Sequence, residues 1–80
     1  MTRLVFLGRL EDVAGTPHLL VPLTEATPLA GVLALLPPFV AEALSGPRIK
    51  LALNGALVPA DGLMVNAGDE LAFLPPVSGG

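Results

Sequence analysis

Short apolar runs, each closed by a turn signal, follow one another along the whole chain. Arg3 to Leu10 is rich in Leu, Val and Phe and ends at Glu11-Asp12, which predicts a first strand. Period-two alternation puts Leu4 and Phe6 on one face, with Arg3, Val5, Leu7 and Arg9 on the other. Glu11 to Gly15 reads as a turn or a single helical turn. Pro17 to Leu23 predicts a second strand, with Leu19 and Val21 sharing a side and Pro22 marking an edge position. So short a link between two strands predicts an antiparallel hairpin.

The period then changes. Thr27-Pro28 reads as a helix start, Thr27 as N-cap and Pro28 at the first helical position. Leu29, Val32, Leu35 and Leu36 recur at helical spacing until Pro37-Pro38 stops them. Phe39 to Leu44 forms a further short turn, closed by Ser45-Gly46-Pro47. Alternation returns at Arg48 to Leu53, with Ile49, Leu51 and Leu53 opposite Arg48, Lys50 and Ala52. Asn54-Gly55 is the strongest hairpin signal in the chain and favours a type I′ turn into Ala56 to Val58. After turns at Asp61-Gly62 and Ala67-Gly68-Asp69, Glu70 to Leu74 is the last strand. The order strand, strand, helix, strand, strand, strand predicts an α+β chain of the β-grasp, or ubiquitin-like, class. Its mixed sheet has about five strands, one main helix covers one face, and the first and last strands are parallel central neighbours.

Parity along the strands collects all four basic residues on the uncovered face. Arg3, Arg9, Arg48 and Lys50 lie there with Val5, Leu7, Ala52, Ala72 and Leu74. That face is expected to dock a partner whose apolar patch is rimmed by acidic groups. Composition points the same way. Hydrophobic residues make up 52% of 80 residues and mean hydropathy is +0.75, more apolar surface than one small core needs. A net charge of −3 with four basic residues argues against nucleic-acid binding. The absence of Cys excludes disulfides, thiolate catalysis and Cys-ligated metals. The first apolar run is too brief for a signal peptide, and no clean span of about 20 apolar residues occurs, so no membrane contact and a cytoplasmic location are expected.

Catalytic sets are missing. His18 is the only histidine and has no Ser or Cys partner at a recognisable spacing, so it reads as a surface residue. Glu11-Asp12 and Asp69-Glu70 sit at turns, where acidic residues are commonplace. Lys50 is not preceded by Gly, and no glycine-rich phosphate loop occurs. The chain is expected to bind no cofactor and to catalyse nothing alone.

The reactive group that remains is the terminal carboxylate. Pro75 and Pro76 carry no backbone N–H, so the last strand cannot go on pairing beyond them. A Pro-Pro pair favours the extended polyproline conformation. The division expected is therefore a β-grasp domain over 1–74 and an extended tail over 75–80, which spans roughly 20 Å at about 3.3–3.6 Å per residue. Gly79-Gly80 lacks side chains beside the carboxylate, which lets a tail thread a narrow channel and leaves the carbonyl carbon unhindered.

The segment Phe73-Leu74-Pro75-Pro76-Val77-Ser78-Gly79-Gly80 resembles the C-terminus of molybdopterin synthase small subunits. These are ubiquitin-like sulfur carriers of the family that also contains the thiamine-pathway carriers. The likeness is strong from Gly68 onward and weaker over Leu4 to Gly15 and over Leu53 to Val58. It implies a thiocarboxylate on Gly80, made after an ATP-using adenylyltransferase resembling ubiquitin-activating enzymes has adenylated it. The tail then enters the large synthase subunit and gives its sulfur to cyclic pyranopterin monophosphate. Two such deliveries build the dithiolene of molybdopterin, and the complex is a heterotetramer. Gly79 and Gly80 carry over directly, Phe73, Pro75 and Pro76 match the pre-tail segment, and Leu74 and Val77 complete the partner-facing stretch. The Pro37-Pro38 break and the low charge of the helical region depart from the pattern. Two other classes stay open: a carrier for thiamine or cysteine synthesis, and a ubiquitin-like interaction module or protein modifier.

Overall fold

Seven strands and three short helices are present in the structure, a computed structural model that describes residues 1–76. In chain order they are β1 (Thr2–Phe6), α1 (Leu10–Ala14), β2 (His18–Val21), β3 (Thr27–Pro28), α2 (Leu29–Leu33), α3 (Pro38–Leu44), β4 (Lys50–Leu53), β5 (Ala56–Val58), β6 (Met64–Val65) and β7 (Glu70–Leu74). Five strands form one mixed sheet in the order β2-β1-β7-β4-β5, and β3 pairs with β6 in a second, two-stranded sheet. β1 and β7 are parallel at the centre of the large sheet, and β4 is antiparallel to β7. This is the ubiquitin-like β-grasp.

The core lies on one face of that sheet. Leu4, Phe6, Leu51, Leu71 and Phe73 point into it and meet Val32, Leu33, Leu36, Val40 and Leu44 from the helical segments. Full burial of a side chain of this size stabilises by about 1.5–3 kcal/mol. Phe6 and Phe73 stack at 5.8 Å between ring centroids across the parallel pair. Pro37-Pro38 divides the helical layer, but α2 already ends at Leu33, and the stretch expected as a short turn over Phe39 to Leu44 is the longest helix, α3, which Pro38 opens at a position where its missing N–H costs nothing.

Further departures from expectation follow from local backbone geometry and pairing. β1 ends at Phe6 instead of Leu10, because Gly8 takes φ +55° and turns the backbone. Leu10 N–H then donates to the Leu7 carbonyl and Glu11 N–H to the Gly8 carbonyl, which winds the chain into α1. Arg9 therefore stands at the N-cap of α1 and not on a strand. Secondly, Thr27 is no helix cap. Its hydroxyl donates to the Glu25 carbonyl, and Thr27 and Pro28 pair with Val65 and Met64 as β3. The helix starts one residue later than the sequence predicts, at Leu29. Thirdly, β6 is absent from the sequence expectation, since a two-residue strand leaves too short a pattern to recognise.

The hairpin at Asn54-Gly55 forms as expected, with φ 51° and 86° at the two turn residues.

Candidate functional site

β7 lies at the middle of the large sheet, bonded to β1 from the N-terminal half of the chain on one side and to β4 from the C-terminal half on the other. The Leu7 N–H donates to the Phe73 carbonyl at 3.1 Å, one of the last rungs before Pro75. Pro75 and Pro76 then continue from the centre of the sheet, each partly buried. Gly8 matters for this geometry as well as for the turn. A Cβ there would lie 2.9 Å from the Pro75 side chain, so the first tail proline rests directly over the glycine backbone. Sequence reasoning misses Gly8 as a site residue, although its place at the end of an apolar run is a signal.

Two grooves flank this root. One, of about 380 Å³, is lined by Lys50, Leu57, Val58, Pro59, Leu74 and Pro75 and is mainly apolar. The other, of about 340 Å³, lies against the C-terminal end of α3 and includes Arg9, Arg48, Ile49, Pro47 and Pro76. Pro75 and Pro76 thus face opposite grooves.

The uncovered face of the sheet carries the rest. Register aligns His18, Val5, Ala72, Ala52 and Leu57 in one row across all five strands, and Leu74 pairs with Lys50 in the next. Val5, Ala52, Ala72 and Leu74 are partly exposed, and Leu7 and Leu20 are open to solvent. Leu57 is 72% exposed, a large aliphatic side chain at the end of the row. It is readable in principle, since a two-residue turn at Asn54-Gly55 sets Leu57 opposite Ala52.

The predicted site residues divide accordingly. Val5, Leu7, Lys50, Leu74 and Pro75 gather at the uncovered face and its apolar groove. Arg9, Arg48 and Pro76 gather in the second groove, so the expectation that all four basic residues share one face fails. Parity cannot hold for Arg9, which is past the end of β1, or for Arg48, which lies in the turn before β4. Arg3 remains on the uncovered face, 3.9 Å from the Glu70 carboxylate. Phe73 is a further correction: at 0% exposure it is a core residue, and its place in the pre-tail motif is explained by packing. Val77, Gly79 and Gly80 lie outside the described residues.

At the other end of β7, acidic residues do turn work. Asp69 accepts hydrogen bonds from the Asn66 N–H at 2.8 Å and the Asn54 side-chain amide at 3.1 Å. The Glu70 N–H donates to the Asn54 side-chain oxygen at 2.9 Å. The backbone donor of Asn66, and secondly the Asn54 amide, hold the Asp69 carboxyl below its ordinary pKa. Among the described residues no group of His, Cys, Asp and Glu is arranged to hold a metal, and no helix is long and apolar enough to cross a membrane.

Comparison with known proteins fits this architecture. Residues 4–80 match the model of the ThiS family. No curated protein sequence matches the chain. SAMP1 from Haloferax volcanii superposes with a TM-score of 0.77 at 27% identity, covering 99% of this chain and 98% of that one. A second structure, of small archaeal modifier protein 1 from the same organism, gives 0.75 at 24% identity, over 95% and 97% of the two chains. A complex of subunits 1 and 2 of molybdopterin-converting factor from Helicobacter pylori gives 0.67 at 23% identity, over 99% and 97%. The two less identical structures bear on the fold alone. The family match covers nearly the whole chain, and with it the chain belongs to the ThiS family, as a sulfur carrier or ubiquitin-like small modifier.

Proposed function

We propose that the chain is a sulfur carrier for molybdopterin synthesis. The observation that carries the reading is the tail's origin: Pro75 and Pro76, which precede Val-Ser-Gly-Gly in the sequence, continue from the central strand of the sheet. The Gly80 carboxylate oxygen attacks the α-phosphorus of ATP in an adenylating partner, and pyrophosphate leaves. Hydrosulfide-level sulfur then attacks the acyl carbon, AMP leaves, and a thiocarboxylate results. In the large synthase subunit the thiocarboxylate sulfur bonds to a side-chain carbon of cyclic pyranopterin monophosphate and displaces an oxygen there, and water then hydrolyses the resulting thioester, which leaves the thiol on the pterin and restores the carboxylate. No residue of this chain needs to act as acid or base. Its own work is to present the terminus and to dock through the row Val5, Ala72, Ala52 and Leu57. The large synthase partner, the adenylyltransferase and a cytoplasmic setting belong to this reading. The resemblance of the tail and the match to the ThiS family over residues 4–80 support it.

Intact mass after co-expression with the cognate adenylating enzyme and a sulfur source tests it. A gain of about 16 Da, oxygen replaced by sulfur, is expected and must vanish when Gly80 is deleted. The large synthase partner, supplied with precursor, must then discharge it. An unchanged mass, with the enzyme competent on another carrier, overturns the proposal.

A second reading, that the terminus is joined to lysines of other proteins, draws on the likeness to SAMP1. A protein adduct lost with Gly80, in place of a small-molecule acceptor, distinguishes it.

A further inference from the structure

Half of the chain's basic side chains are gathered in one place. Arg9, from the N-cap of α1, and Arg48, from the turn before β4, are far apart in sequence yet line the same groove against Pro76. Both are exposed or partly exposed, and the one ion pair among the described residues is Arg3 with Glu70, on β1 and β7. Glu11 and Asp12 follow Arg9 in α1 but are not within ion-pair distance of either guanidinium. In a chain of net charge −3 the lining of this groove holds two cations and no carboxylate. Ile49, Pro47 and Pro76 give the groove apolar walls, which weaken competition from water. Guanidinium forks match carboxylates in bidentate geometry.

We propose that this groove binds carboxylate side chains of the adenylating protein and so fixes the tail's angle of entry. The inference rests on the proposed function and adds the partner's chemistry to it. The partner's surface must then be two-sided, apolar against Leu57 and Leu74 and acidic against Arg9 and Arg48. Adenylation is the step shared by every carrier and modifier reading, so the adenylating enzyme is the probe.

The test compares wild type, Arg9→Gln/Arg48→Gln and a charge-matched control, Thr24→Glu/Ala26→Glu, whose positions are exposed in the loop before β3. Binding to the cognate adenylating enzyme is measured by calorimetry at low and high salt. The arginine double variant is expected to bind about tenfold more weakly at low salt, and the gap to close to about twofold at ~0.5 M salt. The control is expected to bind as wild type does. Equal affinity of the arginine variant, or equal weakening by the control, overturns the proposal. Wild type that binds but gains no sulfur mass strikes the carrier reading and leaves the groove standing.

Discussion

Phe73 and Leu74 are neighbours in β7 whose side chains point to opposite faces, so changing each must move a different observable. Phe73 is wholly buried and stacks on Phe6 at 5.8 Å. Truncating a buried Phe to Ala costs about 3–5 kcal/mol. An 80-residue domain has about 4–12 kcal/mol in all, so Phe73→Ala removes about a quarter of that or more and would mix unfolding with any effect on docking. Phe73→Leu keeps most of the volume and loses the aromatic pair, at about 1–2 kcal/mol. Leu74→Ala removes a partly exposed side chain beside Lys50 and Pro75, with a stability cost under about 1 kcal/mol. Its effect belongs in docking, where an apolar anchor contributes more than about 1 kcal/mol, or fivefold in Kd. The assays are urea unfolding by far-UV circular dichroism, since the chain has no Trp or Tyr, and the KM of the adenylating enzyme for each variant at a temperature where all are folded. The expected pattern is a lowered urea midpoint with unchanged KM for Phe73→Leu, and the reverse for Leu74→Ala. If Phe73→Leu raises KM more than Leu74→Ala does, the assignment of the two faces is refuted.

Three further outcomes follow from the same geometry. Gly8→Ala forces a left-handed residue and a Cβ 2.9 Å from Pro75, so it should cost about 1–2 kcal/mol and slow tail charging even when the protein is folded; unchanged charging kinetics would remove Gly8 from the site. Leu57→Ser, at a position 72% exposed, should leave the thermal midpoint within a degree or two, equivalent to under about 0.5 kcal/mol, while weakening partner binding by about threefold or more, as calorimetry can check. Asp69 has a folded pKa below its unfolded value of about 3.9, so its contribution is complete above that value and is lost as pH falls through the lower folded one. The stability gap between wild type and Asp69→Asn, followed by urea unfolding, should therefore be constant from neutral pH to about pH 5 and shrink in acid. A gap that widened in acid would mean the turn favours the protonated carboxyl.

The parts of the fold readable from sequence are those where one local rule decides. Asn54-Gly55 specifies its own turn, and that turn in turn fixes the pairing of β4 with β5. Pro75 and Pro76 end β7 because a missing N–H ends any strand. Alternation places Leu4, Phe6 and Leu51 correctly in the core. Thr27-Pro28 goes astray because both residues suit a helix start and a strand equally well, and only the tertiary pairing with β6 chooses between them. Parity fails for Arg9 for a related reason. Face assignment by counting holds only while the backbone stays extended, and Gly8 ends that just before Arg9. Phe73 joins a partner surface only through its company in a motif, although its parity with Leu71 already puts it inside.

That misassignment shows what the pre-tail motif holds together. On the proposed function the terminus enters another protein's channel and needs a fixed point of departure, and an edge strand, bonded on one side, frays more readily than a central one. Here β7 is bonded on both sides, Phe73 locks it to Phe6, and Gly8 gives Pro75 a flat seat as it leaves. Core packing and tail direction are therefore set by the same residues. On the proposed reading recognition falls to others: Leu57 and Lys50 in one groove at the root, Arg9 and Arg48 in the other. Because these side chains are exposed and bear little of the fold's stability, they can be exchanged between carriers without disturbing the presentation of the tail. On that reading, grafting the two grooves onto a carrier of another pathway should move it to the adenylating enzyme proposed for this chain, and grafting Phe73 should not.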